Sequence, residues 1–326
     1  MLLNTDCAYS AQELQISSEG RWFDQITVVT EELKRVTDNL SRLYGLTDWS
    51  RGTRSVGYEE QYAKTVMGDV ELQIVQPLSG ISPNSLYLEK YGPGICCVRE
   101  NVPQEAWEER LRDYRLMGVP FLKKEEDEGG ETIWLDTMDI LGGCLALRLD
   151  RNRKAPVRQD SRRITQINVV TDDVDRTVRE LTQLLHIGPW SIGTLNNRSV
   201  TNPGILVDGE LVEPEFHFQL GITFYSNIEF EVIQPVKGPT VYQSYLDRHG
   251  CGFHHIKEVV PPERWEETLS DYQEKGMKLS IKGQVGPTKF AYLDSEKDFD
   301  FVVELGDGIP AIPLPEGYNE YAYPAD

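Results

Sequence analysis

The chain has 326 residues, enough for two ordinary domains with their own cores. Its 39% hydrophobic and 26% charged content fits a soluble globular protein rather than a disordered one, and no run approaches the roughly 20 apolar residues of a membrane helix. A formal net charge of −20 argues against nucleic acid and anionic membrane surfaces as partners, and disfavours polyphosphate-bearing substrates such as coenzyme A esters.

Met1 to Arg21 is polar and acidic, without the basic and apolar blocks of a signal peptide, so the cytoplasm is the expected compartment. A first unit runs from about Trp22 to Asp150. Asp24–Val29 alternates as a strand and leads into a helical run from Glu31 to Tyr44, with Thr30 as the expected N-cap. Strands follow and end in Val70–Pro77, a second strand opens at Ile95–Val98, and a helix carrying Trp107-Glu108-Glu109 stops near Gly118. Cys144–Leu147 closes the unit. Arg151–Arg158 is basic, polar and broken by Pro156, which reads as a solvated linker over 151–162.

The second unit, from about Arg163 to Asp307, repeats the first. Gln166–Val170 matches the opening strand, Thr171-Asp172 is the cap region, and the helix runs to Leu185. Ile228–Pro235, Phe253–Ile256 and Phe301–Leu305 match the later strands, and Trp265-Glu266-Glu267 repeats the helix motif, which stops near Gly276. The period of about 158 residues is that of a domain, not of a solenoid repeat. Asn197 to Glu215 is an insertion that the first unit largely lacks, read as a loop or a lid. The ends 1–21 and 308–326 are extensions, the latter rich in Pro and Tyr. Each unit is two βαβββ modules in series, an α+β class.

The five cysteines (Cys7, Cys96, Cys97, Cys144, Cys251) have no zinc-type spacing and read as reduced thiols. In a regular strand Cys96 and Cys97 point to opposite faces. All five histidines (His186, His217, His249, His254, His255) fall in the second unit. Histidine is the commonest side-chain metal ligand, so the asymmetry suggests one chemical site and one silent scaffold.

The four modules, with Gly92–Cys97 and Gly250–Ile256, resemble the vicinal oxygen chelate superfamily, whose members include glyoxalase I, methylmalonyl-CoA epimerase, extradiol dioxygenases and bleomycin-resistance proteins. Tyr245–His255 is especially similar to the epimerase-like branch. The resemblance implies two domains with cup-shaped mixed sheets. It also implies that the first and last strands of each module supply inward metal ligands, here Gln166, Glu231, His255 and Glu304. The corresponding set in the first unit is Gln25, Gln73, Cys97 and Leu147, a poor divalent site, so that unit is expected to be metal-free. Arg99 there suits a rim salt bridge or an anion.

Three oxygen ligands and one imidazole suit Zn, Co, Ni, Mn or Mg ahead of Fe. Such an ion would polarise a substrate carbonyl while Glu231 or Glu304 moves a proton on the adjacent carbon. Strand alternation places Asn168 on the face of Gln166 and Lys257 on that of His255, where Lys257 can neutralise an oxyanion or act as an acid. His254 is expected to point away from the metal, and Trp190 to pack or reach the pocket mouth. The leading expectation is a metal-dependent isomerase, epimerase or lyase acting on a small molecule. The alternatives are an extradiol-type dioxygenase, which needs two histidines and one carboxylate on Fe(II), and a metal-free binding protein of the bleomycin-resistance type. Four modules in one chain are compatible with a monomer or a homodimer.

Overall fold

The computed structural model describes residues 20–55, 57–150, 163–197, 199–207, 210–211, 215–238, 240–308 and 320–324. The linker 151–162, Cys7 with 1–19, and the tail 309–319 lie outside the described residues. The first half contains β1 (Trp22–Val29), α1 (Leu33–Tyr44), β2 (Ser50–Ser55), β3 (Tyr58–Met67), β4 (Val70–Gly80) and the connecting helix α2 (Pro83–Tyr91). Its second module is β5 (Gly94–Asn101), α3 (Gln104–Leu116), β6 (Phe121–Asp127), β7 (Gly130–Leu135), α4 (Met138–Leu141) and β8 (Cys144–Asp150).

The second half repeats this as β9 (Ile164–Val170), α5 (Val174–Leu185), β10 (Trp190–Asn196), β11 (Val200–Val207), β12 (Glu210–Leu211), β13 (His217–Tyr225) and β14 (Ile228–Lys237). Then come α6 (Val241–His249), β15 (Gly252–Val259), α7 (Trp265–Glu274), β16 (Leu279–Val285), β17 (Thr288–Leu293), α8 (Glu296–Phe299), β18 (Val302–Gly306) and β19 (Tyr321–Tyr323). The architecture is two mixed sheets with helices on their convex sides, as the repeat predicts.

The helices form where apolar residues recur three and four apart. Leu33, Val36, Leu40 and Leu43 of α1 are buried, as are Val174, Val178, Leu181 and Leu185 of α5. The caps differ from expectation. Thr30 does not cap α1, which starts at Leu33 behind Glu32; the Thr30 hydroxyl accepts from the Glu32 N–H at 3.0 Å. The cap of α5 is Asp173, one residue beyond Thr171-Asp172, and it accepts from the Arg176 N–H at 2.9 Å.

The first sheet has the order β2-β3-β4-β1-β5-β8-β7-β6, and the second β12-β11-β16-β17-β18-β15-β9-β14-β13-β10-β19. In each, the two modules join through the antiparallel pair of their opening strands, β1 with β5 and β9 with β15. The first strand also runs parallel to its module's last, β1 beside β4 and β9 beside β14, with β5–β8 and β15–β18 alike. Four central strands therefore come from module ends, and their inward side chains meet at the cup floor.

The insertion is not an ordinary loop. Its described part forms β11 and β12, which extend the sheet beyond β16. β10 belongs to the opposite end of the same sheet, yet a turn from Asn196 to Ser199 (Ser199 N–H to Asn196 C=O, 2.9 Å) leads from it toward β11. The sheet must curl until its two ends are a turn apart. Asp208, Gly209 and residues 212–214 lie outside the described residues.

The halves share one apolar core. Phe23 meets Phe230 edge-on with centroids 4.7 Å apart, and Tyr44 meets Tyr272 at 5.9 Å. Arg35 of α1 bonds Asp300 at 2.7 Å, and Arg110 and Tyr114 of α3 donate to the Leu184 carbonyl at the end of α5. At the seam Gly142 has φ +61, and a Cβ there would lie 1.7 Å from the Cys251 carbonyl oxygen. Only glycine satisfies both conditions.

Candidate metal centre

Register assembles the site. β14 sets Glu231 level with Asn168 of β9, and β18 sets Glu304 level with Lys257 of β15. Three side chains from three strands then converge. His255 Nε2 lies 3.0 Å from Glu304 Oε2 and 3.2 Å from Glu231 Oε2, and one donor atom from each of the three lies within 4.8 Å of the others. Asn168 donates to Glu231 Oε2 at 3.0 Å, and the Tyr292 hydroxyl to Glu304 Oε2 at 3.0 Å, with Tyr242 behind it at 2.8 Å. His255 is fully buried. Burial pushes its imidazole pKa down, but the two carboxylates outweigh this and hold it above its ordinary value. Burial likewise pushes Glu304 up, and His255 and Lys257 bring it below the usual carboxylate range.

A bulge re-aims the histidines. Phe253 pairs with Val169 and Ile256 with Ile167, so His254 and His255 together oppose the single residue Asn168. Regular alternation would send them to opposite faces. Instead their Nδ1 atoms are 2.9 Å apart. The first half has the same bulge at Cys96-Cys97, where Ile95 pairs with Val28 and Cys97 with Thr27. Strict alternation therefore fails at the histidine pair, although His254 still stands apart from the two glutamates, as expected of it.

Gln166 lies level with Lys257 and Glu304, one layer along from Asn168 and Glu231. Its amide donates to Glu229, which also accepts from Lys257 Nζ at 2.9 Å. Glu229 is buried and was not singled out from the sequence, although it lies two residues before Glu231 on the same strand face. Burial raises its carboxyl to about 7, against the pull of Lys257. Lys257 is held above its ordinary value because Glu229, Glu304 and Glu231 outweigh its burial.

The first half carries the same layer without the centre. Gln25 donates to Glu71 as Gln166 does to Glu229, and Gln73 donates to Thr27 where Glu231 meets Asn168. Cys97 pairs with Cys144 and Arg99 with Ala146, so the counterpart of Glu304 is Ala146, not Leu147. Leu147 is one residue out of register and buried in the core. Arg99 bonds Asp24 at 2.8 Å, the rim salt bridge expected of it.

Unpartnered polar atoms distinguish the cups. Gln166 Oε1, Asn168 Oδ1 and Glu229 Oε2 are buried and lack a hydrogen-bond partner among the described residues. In the first half Gln25 Oε1 accepts from the Thr27 hydroxyl at 3.4 Å, a donor that Asn168 does not replace. The second cup gathers three carboxylates, one imidazole and one ammonium. Donors about 2.1 Å from one divalent ion and roughly 90–110° apart lie about 3.0–3.4 Å from each other, the spacing seen around His255. The donor set fits a divalent metal.

Above the floor is a cavity of about 120 Å³, lined by Glu231, Lys257, Glu304, Tyr242 and Tyr292 below and by apolar side chains such as Leu195, Phe218, Ile222 and Phe290. Trp190 does not reach it; it is buried and donates to Thr182 of α5 at 2.9 Å. His186 ends α5 and His217 starts β13, so neither joins the site. Cys96, Cys97 and Cys144 are free and buried, and Cys251 is free and half-buried. No helix among the described residues is long and apolar enough to cross a membrane.

Residues 165–292 match the family model of the Glyoxalase/Bleomycin resistance protein/Dioxygenase superfamily, which spans β9 to β17 and so includes most of the site. That match is confined to the second half of the chain. The vicinal oxygen chelate fold extends over both halves. A mutant of 4-hydroxymandelate synthase from Streptomyces coelicolor is similar over 87% of this chain and 91% of its own, with TM-score 0.61 and 11% identity. BphC, a halotolerant catechol dioxygenase, is similar over 92% of both chains, with TM-score 0.52 and 12% identity. At these identities the likeness concerns the fold alone. No curated protein matches the sequence.

Proposed function

We propose that the second half is a divalent-metal isomerase, epimerase or lyase that acts on a small organic substrate by moving a proton next to a carbonyl. The observation that carries this reading is the convergence of one imidazole and two carboxylates beneath a cavity that both carboxylates line. Glu231, His255 and Glu304 would hold the ion, with the unpartnered Gln166 Oε1 as a fourth donor. Bound there, Zn, Co, Ni, Mn or Mg supplies a Lewis acid that polarises a substrate carbonyl.

Glu231 and Glu304 each turn Oε2 toward His255, which leaves Oε1 to take or return a proton at the substrate carbon. Lys257 lines the same cavity and offers an ammonium to an oxygen that gains charge. The apolar walls select a small, mostly apolar body and keep water from the reacting carbon. The first half, with Gln73, Cys97 and Ala146, is a metal-free scaffold. We read the two halves as domains over 22–150 and 163–307.

A dioxygenase built on two histidines and one carboxylate is disfavoured, since only His255 meets the two glutamates, while His254 touches the far side of its ring. The metal-free binding alternative is tested by ligand-induced thermal stabilisation without product, measured in the presence of a chelator. For the leading reading, Glu304→Gln lowers turnover of a carbonyl substrate by about 10²-fold or more while the protein stays folded. Full turnover by Glu304→Gln, or by the chelated wild type, sinks it.

A further inference from the structure

We propose that His254 is the positioning residue of the metal centre, holding the His255 ring as the tautomer whose Nε2 lone pair faces the two glutamates. This rests on the metal reading above. An imidazole that binds a cation through Nε2 carries its single hydrogen on Nδ1, and that N–H needs an acceptor. The acceptor closest at hand is the Nδ1 of the preceding residue, 2.9 Å away. Only one hydrogen fits between two such nitrogens. With Nε2 of His255 on the metal, the hydrogen belongs to His255, and His254 accepts on Nδ1 and carries its own hydrogen on Nε2.

The backbone makes this contact possible. Two consecutive strand residues normally diverge, and these meet because the bulge sets both against Asn168. Metal is not the cause of the bulge, since the first half has it at Cys96-Cys97. There Cys96 Sγ finds the Thr27 carbonyl and Asn84 Oδ1, each at 3.4 Å. His254 is held from behind. Tyr245 meets its ring edge-on at 4.8 Å and Tyr242 does so at 5.7 Å, while the Tyr245 hydroxyl is anchored on the Phe253 carbonyl at 2.9 Å. With 4% of its surface exposed, His254 leaves little room for water to compete for the His255 N–H.

The test measures Zn(II) and Co(II) affinity of the full chain by competition with a chromophoric chelator, for wild type, His254→Leu and His254→Asn. Long-range proton–nitrogen NMR of the Zn(II)-loaded wild type reads the tautomers directly. Expected are a loss of about 10- to 100-fold for His254→Leu, recovery of most of it by His254→Asn, whose Oδ1 can accept from the same place, and a His255 ring protonated on Nδ1. Wild-type affinity in His254→Leu, or a Zn(II)-loaded His255 whose Nδ1 carries no hydrogen, overturns the proposal. The NMR arm decides the matter if the leucine variant does not fold. A wild type that binds neither ion instead fails the metal reading itself, and this inference falls with it.

Discussion

His255 Nε2 stands 3.0 Å from Glu304 Oε2 across two neighbouring parallel strands, and at the same register of the other half Cys97 and Ala146 occupy those positions. One backbone plan thus holds a charged centre in one cup and two small neutral side chains in the other. The change is confined to a few inward positions, while the layer of Gln25 with Glu71 and of Gln166 with Glu229 is kept in both.

Glu304→Gln keeps the shape and an acceptor for the Tyr292 hydroxyl but removes one of the two charges facing His255. We expect at least a tenfold loss of divalent-metal affinity and a turnover lowered by about 10²- to 10⁴-fold. The thermal midpoint should change little. Metal analysis of the dialysed variant beside a melting curve checks both parts.

Lys257 and Glu229 form a buried pair, so removing one partner leaves an uncompensated charge. Lys257→Met is expected to destabilise the protein by about 3–5 kcal/mol. The double variant with Glu229→Leu should recover most of that. Urea midpoints of the single and double variants measure the difference, and equal midpoints would show that the pair contributes nothing.

His186 gives a pH signature away from the metal centre. Burial, reinforced by Arg110 and Arg21, pushes its imidazole down to about 2, and the Asp113 carboxylate 3.9 Å away is too distant to reverse this. The unfolded chain binds a proton near pH 6.5 that the folded chain refuses. Its contribution is therefore complete above about pH 6.5 and is lost as pH falls toward 2, by about 1.4 kcal/mol per pH unit. His186→Asn, which tolerates the left-handed backbone there, should show a shallower decline between pH 6.5 and pH 4.5 in denaturant melts. Parallel curves would refute the assignment.

Gly142→Ala meets the Cys251 carbonyl and forces a left-handed alanine. A loss on the order of 3 kcal/mol or more is expected, because backbone cannot give way as a flexible side chain does. The same change at Gly45, also left-handed but with open space around it, should cost about 1 kcal/mol. Calorimetric comparison of the two variants separates the clash from the backbone strain.

Much of this molecule was legible in the sequence because the repeat fixes equivalences. The two βαβββ modules per half, the helix ends near Gly118 and Gly276, and the strands carrying Glu231, His255 and Glu304 follow from periodicity and from the resemblance. What escaped depends on register. The bulges at Cys96-Cys97 and His254-His255 carry no composition signal, since any residue can supply the extra position. A shift of one residue then matched Glu304 with Leu147 in place of Ala146, on the wrong face of the strand. Glu229 and Tyr292 were missed because a polar residue two positions from a ligand, or one on a neighbouring hairpin, looks like ordinary strand surface until the sheet curls. The insertion read as a loop because β11 finds its pairing partner β16 some eighty residues later in the chain.

The central claim is that the second cup, and not the first, holds a divalent ion. Titration of the metal-stripped protein with Zn(II) and Co(II), with parallel runs on His255→Ala and Cys97→Ala, tests it most directly. The account predicts one ion per chain for wild type and Cys97→Ala, and none at the same concentrations for His255→Ala. Failure of the wild type to bind, or undiminished binding by His255→Ala, would contradict it.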